Sequence, residues 1–159
     1  MIKETVTYTD YNGAIRTEDF YFNLSKIDVF KMISEGGDIQ KRASEIQALA
    51  EQIEKNDTEK TRMDAITKTF EFVSDLVSRS YGQKSEDGRR FIKNPQLTAE
   101  FTESEAYGEL VMSLMTDETG KFMAFVRGIL PHDIASAIPE NMTPEEAKTR
   151  LAALSGGQV

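Results

Sequence analysis

The sequence predicts a mainly α fold with an N-terminal β-hairpin followed by a helical bundle of about five to six helices, α+β overall. Residues 2–9 alternate between apolar and polar side chains, and the Asn12-Gly13 dipeptide that follows is typical of a tight type I′ hairpin turn. From residue 25 onward, apolar side chains recur at intervals of three and four, as in amphipathic helices. The length of 159 residues is sufficient for one domain with its own core.

The two strands of the hairpin are expected at residues 2–9 and 14–22. Phe20 and Phe22 share one face of the second strand. Because an isolated hairpin is only marginally stable, this one must pack on the helices or pair with another chain through its open edge. The residues that we expect to contribute to self-association are Tyr8, Tyr11, Phe20 and Phe22.

Two helices are predicted after the hairpin. Ser25 and Asp28 have the spacing of a capping box, and this first helix ends at Gly36-Gly37. Asp38 then caps the second helix. The apolar stripe of that second helix consists of Ile39, Ala43, Ile46, Ala50 and Ile53.

A third, longer helix begins at Asp57 or Thr58. It is predicted to end at Tyr81-Gly82 with a left-handed C-cap. Because only a short break separates it from the second helix, the two should pack as an antiparallel helical hairpin. Its apolar stripe consists of Met63, Ile66, Phe70, Val73 and Val77.

Residues 82–95 are expected to form a basic linker in front of an acidic helical stretch. Two interpretations of its centre are open. In one, Arg89, Arg90 and Phe91 form a docking edge for a partner. In the other, the segment is short and extended, Phe91 anchors it in the core, and Arg89 and Lys93 meet the acidic helices.

The C-terminal helices are expected to begin at Pro95, at a capping box from Thr102 to Glu105, and at Asp117. Pro131 ends this series. The domain organisation is therefore a hairpin at 1–24, a helical body at 25–131, and a weakly held tail at 132–159 with one short helix.

The methionines and phenylalanines of the last helices are either core or an adaptable partner-binding surface. The candidate partner-binding residues there are Met112, Met115, Phe122 and Phe125.

Composition argues against several kinds of function. A net charge of -8 opposes general binding to nucleic acid, which requires a basic field. One histidine and no cysteine leave no common zinc ligand set, and His132 next to Asp133 has no nucleophile with which to form a catalytic site. No phosphate-binding motif and no membrane-spanning apolar run are present. We therefore expect no catalytic residue, cofactor, metal, nucleic acid or membrane.

Several stretches in the same order resemble the tail assembly chaperones of long-tailed (siphovirus-type) bacteriophages. The N-terminal part of the resemblance lies at residues 7–13 and 16–24, and the central part at 80–82 and 85–93. Phe101, Ala106-Tyr107 and residues 112–116 continue it, and it ends with Phe125 and residues 128–131.

The resemblance implies a non-enzymatic, homo-oligomeric protein of the infected host cytoplasm. Such chaperones bind the tape measure protein, promote assembly of the tail tube protein around it, and are absent from the finished virion. Two alternatives stay open: a tail completion or connector protein that remains in the virion, and a small acidic inhibitor of a host protein. The inhibitor would present a continuous acidic face on residues 94–120.

Overall fold

A β-hairpin begins the chain, and helices follow it, as the sequence predicts. The computed structural model describes residues 1–36, 39–116 and 119–136. In order, the described elements are β1 (Ile2–Thr9), β2 (Ile15–Phe22), α1 (Lys26–Ser34), α2 (Ile39–Lys55), α3 (Glu59–Ser80), β3 (Tyr81–Lys84), β4 (Phe91–Ile92), α4 (Pro95–Thr102), α5 (Glu105–Thr116), α6 (Lys121–Ile129) and α7 (His132–Ala135). The mainly α class with an N-terminal hairpin is confirmed. The described residues between 25 and 131 contain six helices, α1 to α6, in agreement with the expected five to six, and α7 follows them.

The hairpin is antiparallel and regular, but its turn differs from the prediction. Its register runs from Ile2 opposite Phe22 to Thr9 opposite Ile15, which leaves a five-residue loop instead of a two-residue turn. Only Gly13 in that loop has a positive φ, of 80°. The Asp10 carboxylate orders the loop because it accepts hydrogen bonds from the backbone N–H groups of residues 12 and 14, both at 2.9 Å.

The predicted linker at 82–95 contains a second hairpin that extends the sheet. Strand order is β1-β2-β3-β4, with Phe22 opposite Tyr81 and Lys84 opposite Phe91. The predicted left-handed cap at Gly82 is wrong. Tyr81 ends α3 with φ -64° and ψ 141°, so the chain passes directly from helix into strand. Gly88, with φ 72°, makes the turn between β3 and β4.

Gly82 is required by the close approach of β4. A Cβ atom on this residue would lie 2.5 Å from Cε1 of Phe91 and 2.7 Å from the carbonyl oxygen of Ile92. Backbone cannot move aside as a flexible side chain can, so the small residue permits the β3–β4 pairing.

An aromatic cluster forms the centre of the core. Phe22 is completely buried, and its ring centroid lies 5.7 Å from that of Phe101 and 5.3 Å from that of Phe125. The rings of Tyr81 and Phe101 stack with centroids 4.2 Å apart. Phe20 completes the cluster, 5.2 Å from Phe101. This cluster joins the sheet to α4 and α6. The hairpin is therefore stabilised by packing on the helices.

The helical hairpin of α2 and α3 is present. Arg42 pairs with Asp75, and Glu45 lies 3.4 Å from Lys68. These pairs run in opposite directions along the two helices, as the antiparallel prediction requires. Thr58 caps α3 by accepting a hydrogen bond from the N–H group of residue 61, at 3.1 Å.

The other predicted caps have mixed outcomes. The Ser25–Asp28 capping box of α1 is present, and Asn94 caps α4 with Pro95 at its start. Thr102 does not cap α5; it is the last residue of α4, and its hydroxyl donates to the carbonyl oxygen of residue 99. The predicted caps Asp38 and Asp117, and the tail beyond residue 136, lie outside the described residues.

Gly82→Ala should destabilise the protein by about 2–3 kcal/mol, because the new Cβ would overlap Phe91 and the β4 backbone. Gly108→Ala is the matched control, since no atom lies within 4 Å of its Cβ position and alanine favours the interior of α5 by about 0.5–1 kcal/mol. Urea unfolding measures both changes. Equal stability of the Gly82 variant and the original protein would contradict the close packing of β4.

Asp28→Asn should destabilise the protein by about 1 kcal/mol at neutral pH, because Asp28 completes the capping box and accepts a hydrogen bond from Lys93 at 2.9 Å. Burial raises the pKa of Asp28, but the bonds from Lys93 and Ser25 outweigh burial and leave that pKa lowered. The stabilisation is therefore fully present above the unfolded-state pKa of about 3.9, and it is lost as pH falls through the lower folded-state value.

Urea unfolding of the Asp28 variant between pH 2 and pH 7 measures this dependence. The difference from the original protein should be constant from pH 5 upward and should vanish near the acid end. Asp133→Asn is the control because its ion pair with Lys26, at 2.8 Å, is mostly exposed. A difference for Asp28→Asn that stays the same down to pH 2 would exclude its carboxylate as the source.

Candidate partner-binding surface

A half-open apolar cleft lies between the helical hairpin and the last helices. Its volume is about 300 Å³, and its lining is contributed by α2, α3, α5 and α6. The lining residues are Ala43, Ile46, Thr69, Phe72, Val73, Leu114, Met115 and Phe122. Because the cleft is open to solvent on one side, its lining is an apolar surface and not enclosed core.

The four candidates on α5 and α6 have three different placements. Met112 is 53% exposed. Met115 and Phe122 are half-buried and line the cleft, where the ring of Phe122 meets that of Phe72 edge-on at 5.7 Å. Phe125 is completely buried and presents no surface to a partner in this conformation. Helical periodicity placed all four on one apolar side but could not tell which of them the neighbouring helices cover.

The exposed face of α5 is acidic as well as apolar. Glu105, Glu109 and Met112 are exposed and follow the i, i+4, i+7 spacing of one helix face. The Glu105 carboxylate accepts a hydrogen bond from the Tyr11 hydroxyl at 2.9 Å, and this bond raises the pKa of Tyr11. A partner on this face therefore meets a methionine beside carboxylates, which favours a basic amphipathic segment.

Exposed apolar residues that sequence reasoning did not select lie on α1, α3 and α6. Ile27, Phe30 and Ile33 of α1 are exposed, as are Met63, Ile66 and Phe70 of α3 and Met123 of α6. Spacing of three and four residues had identified Met63, Ile66 and Phe70 as an apolar stripe, and such a stripe is normally buried. Only the tertiary structure shows that the first half of α3 extends beyond the core.

Of the candidate partner-binding residues on the second hairpin, two are exposed and one is half-buried. Arg89 and Arg90 are exposed, whereas Phe91 is half-buried in β4. Lys93 pairs with Asp28 of α1 instead of meeting the acidic helices, and its ammonium lies 5.7 Å from the centroid of the Phe91 ring. The structure therefore combines the two interpretations: Phe91 and Lys93 fix the segment, and the two arginines remain accessible.

The candidates for self-association also differ in exposure. Phe22 is completely buried, Phe20 and Tyr8 are half-buried, and Tyr11 is 78% exposed. The Tyr8 hydroxyl donates to Glu18 of β2, which raises the pKa of Tyr8. Because β1 is the first strand of the sheet, its outer edge is the side through which another chain would pair, while the aromatic rings mainly hold the hairpin on the core.

The described part of the chain offers little basis for catalysis or metal binding. His132 begins α7, and the neighbouring Asp133 lies 2.8 Å from Lys26 instead of orienting the imidazole. Within residues 1–36, 39–116 and 119–136, no three His, Cys, Asp or Glu side chains gather as metal ligands. None of the helices described there combines the length and apolarity needed to cross a membrane.

Comparison with known proteins identifies the family of this chain. Neither the curated proteins nor the solved structures contain a match to this chain. A family model described as phage tail assembly chaperone matches residues 1–155. The match covers nearly the whole chain and includes the regions that carry the resemblance in the sequence. The chain therefore belongs to the phage tail assembly chaperone family.

Proposed function

We propose that the protein binds the tape measure protein in the host cytoplasm during infection, promotes assembly of the tail tube around it, and is absent from the finished virion. It acts by binding, not by catalysis. The observation that carries this proposal is the half-open apolar cleft of about 300 Å³, together with exposed Met112 and Met123 on α5 and α6, two of the helices that line it. A long helical protein with one apolar face needs such a cover before assembly, because a large exposed apolar surface promotes aggregation.

The methionines and glutamates of α5 and α6 suit a partner of variable sequence. Methionine is unbranched and flexible, so Met112, Met115 and Met123 can adapt to different apolar side chains. Glu105 and Glu109 lie on the same exposed face as Met112. These carboxylates favour a partner helix with lysine or arginine next to its apolar face, and they keep the chaperone itself soluble.

Self-association is part of the same proposal. One tape measure chain is long compared with a protein of 159 residues, so many copies are needed to cover it. The outer edge of β1 offers eight consecutive residues, Ile2–Thr9, for strand pairing between copies. The tail tube protein is the other partner in this proposal, because the tube must replace the chaperone as it polymerises.

The combined change Met112→Asp and Met123→Asp should weaken tape measure binding by about 10- to 100-fold, since each methionine buries apolar area only in the complex. Both side chains are about half exposed, so the thermal unfolding temperature should stay nearly unchanged. Pull-down after co-expression, followed by titration of the purified complex, measures the loss. Met63→Asp is the matched control, because Met63 is 55% exposed but lies on α3 instead of α5 or α6. Equal binding by the double variant and this control would show that the binding surface lies elsewhere on the protein.

Co-expression with the tape measure protein of the same phage, with light scattering of the product, tests the function itself. A soluble complex with several chaperone copies per tape measure chain is the expected result. Mass spectrometry of purified virions then separates an assembly chaperone, which is absent, from a tail completion or connector protein, which is retained. A monomer that does not bind the tape measure protein would overturn the proposal.

A further inference from the structure

We propose that α2 is an exchangeable cover: it packs on α3 along one side of the cleft that α3, α5 and α6 complete, and a basic amphipathic helix of the partner displaces it. This inference rests on the proposed function for the identity of the partner, but the exchange itself is a property of this chain. It explains why the cleft has α2 as one of its walls and why that wall is incompletely packed.

The burial of α2 is unusually low for its length. It spans 17 residues, yet none of its side chains that the structure describes is fully buried. Every other described helix of eight or more residues buries at least one side chain, such as Met32 in α1 and Phe101 in α4. The contacts of α2 with the core come from the half-buried Ile39 and Ile46. Because tertiary packing of an apolar face supplies most helix stability, α2 should open more easily than its neighbours.

The space beside α2 is apolar and unfilled. Ala43 and Ile46 line one side of the cleft, and Phe72, Leu114 and Phe122 are among the residues opposite. Removal of α2 would convert the cleft into an open groove across the other three helices. Because this space lies open beside α2, the helix does not fully cover the apolar residues on the opposite side.

Polar contacts with α3 hold α2 in place. The Arg42 guanidinium pairs with Asp75, donates to the carbonyl oxygen of Glu71 at 3.1 Å, and lies 5.3 Å from the centroid of the Phe72 ring. Glu45 and Lys68, at 3.4 Å, form a second pair that is about half exposed. Exposed ion pairs contribute little to stability, so Arg42 is the principal clamp.

Asp75 would keep a countercharge if Arg42 were released. Asp75 also pairs with Arg79 at 2.9 Å, and Arg79 pairs in turn with Glu35 at 2.9 Å. Asp75, followed by Glu35, raises the pKa of Arg79. A buried or half-buried charge that loses its sole partner is strongly unfavourable, and the Arg79 contact removes that obstacle. The α2 clamp is therefore built so that it can open.

The sequence of α2 indicates which kind of partner helix can replace it. The groove is covered by an amphipathic helix with apolar residues at i and i+7, Ile39 and Ile46, and with Arg42 between them on the acidic rim. A competing helix needs apolar side chains at the same spacing and one arginine or lysine near Asp75 and Glu71. The net charge of -8 favours such a basic segment over an acidic one.

Hydrogen exchange of the free protein is the first test, and it does not depend on the function. The α2 amides should exchange at least about 100-fold faster than those of residues 72–80 in α3, and Arg42→Glu should accelerate α2 alone. Lys31→Glu, on the exposed side of α1, is the matched charge-reversal control and should leave α2 exchange unchanged. Protection of α2 equal to that of residues 72–80 would overturn the inference.

A cross-link provides the second test, and the absence of cysteine makes it selective. Glu45→Cys with Lys68→Cys, joined by a short bis-maleimide, ties α2 to α3 where the original side chains lie 3.4 Å apart. Lys68→Cys alone, treated with the same reagent, is the control. A labelled peptide of residues 39–55 should bind the Arg42→Glu variant at least about 10-fold more tightly than the original protein, and it should not bind the cross-linked one. Equal peptide binding by all three proteins would contradict the exchange.

The tape measure protein completes the test and separates the two proposals. If it binds the control but not the cross-linked protein, both the function and the exchange are supported. If it binds both equally, the exchange is wrong while the proposed function stands. If it binds neither, and the peptide and hydrogen exchange still show an opening α2, the exchange stands and the proposed partner is wrong.

Discussion

The aromatic cluster around Phe22 is the interaction on which the rest of the fold depends. A two-stranded hairpin alone is only marginally stable in water. Here the hairpin is stabilised because Phe22 lies completely inside the core between Phe101 and Phe125. Tyr81 joins the same cluster from the end of α3. One set of rings therefore connects both hairpins to the helices, and the chain segments that contribute to it are far apart in the sequence.

Burial is unevenly distributed along the helical hairpin. The C-terminal part of α3 supplies Phe72, Val73, Leu76 and Val77 to the core, whereas Met63, Ile66 and Phe70, which precede them, remain exposed. A protein that only had to fold would gain stability by covering these side chains. Leaving apolar faces and a cleft accessible is typical of a protein that binds other chains, which agrees with membership of the phage tail assembly chaperone family.

In the same structure, charged side chains lie next to exposed apolar ones. Exposed glutamates lie on the face of α5 that carries Met112, and ion pairs such as Arg42–Asp75 and Lys93–Asp28 join different elements of the fold. Such pairs contribute modestly to stability, but they fix orientation and can be exchanged for pairs with a partner. The proposed release of α2 uses this property, because Asp75 keeps Arg79 when Arg42 leaves.

The sequence by itself determined the fold class, the N-terminal hairpin, the α1 and α4 caps and the pairing of α2 with α3, because these depend on local periodicity and capping. Tertiary structure alone decided that residues 81–92 form two further strands, since β4 has only two residues and exists through contact with β3. It also decided that Phe125 is core, that Met112 is surface, and that Lys93 meets Asp28. Periodicity identifies an apolar face, but the packing of distant segments determines which part of that face is covered.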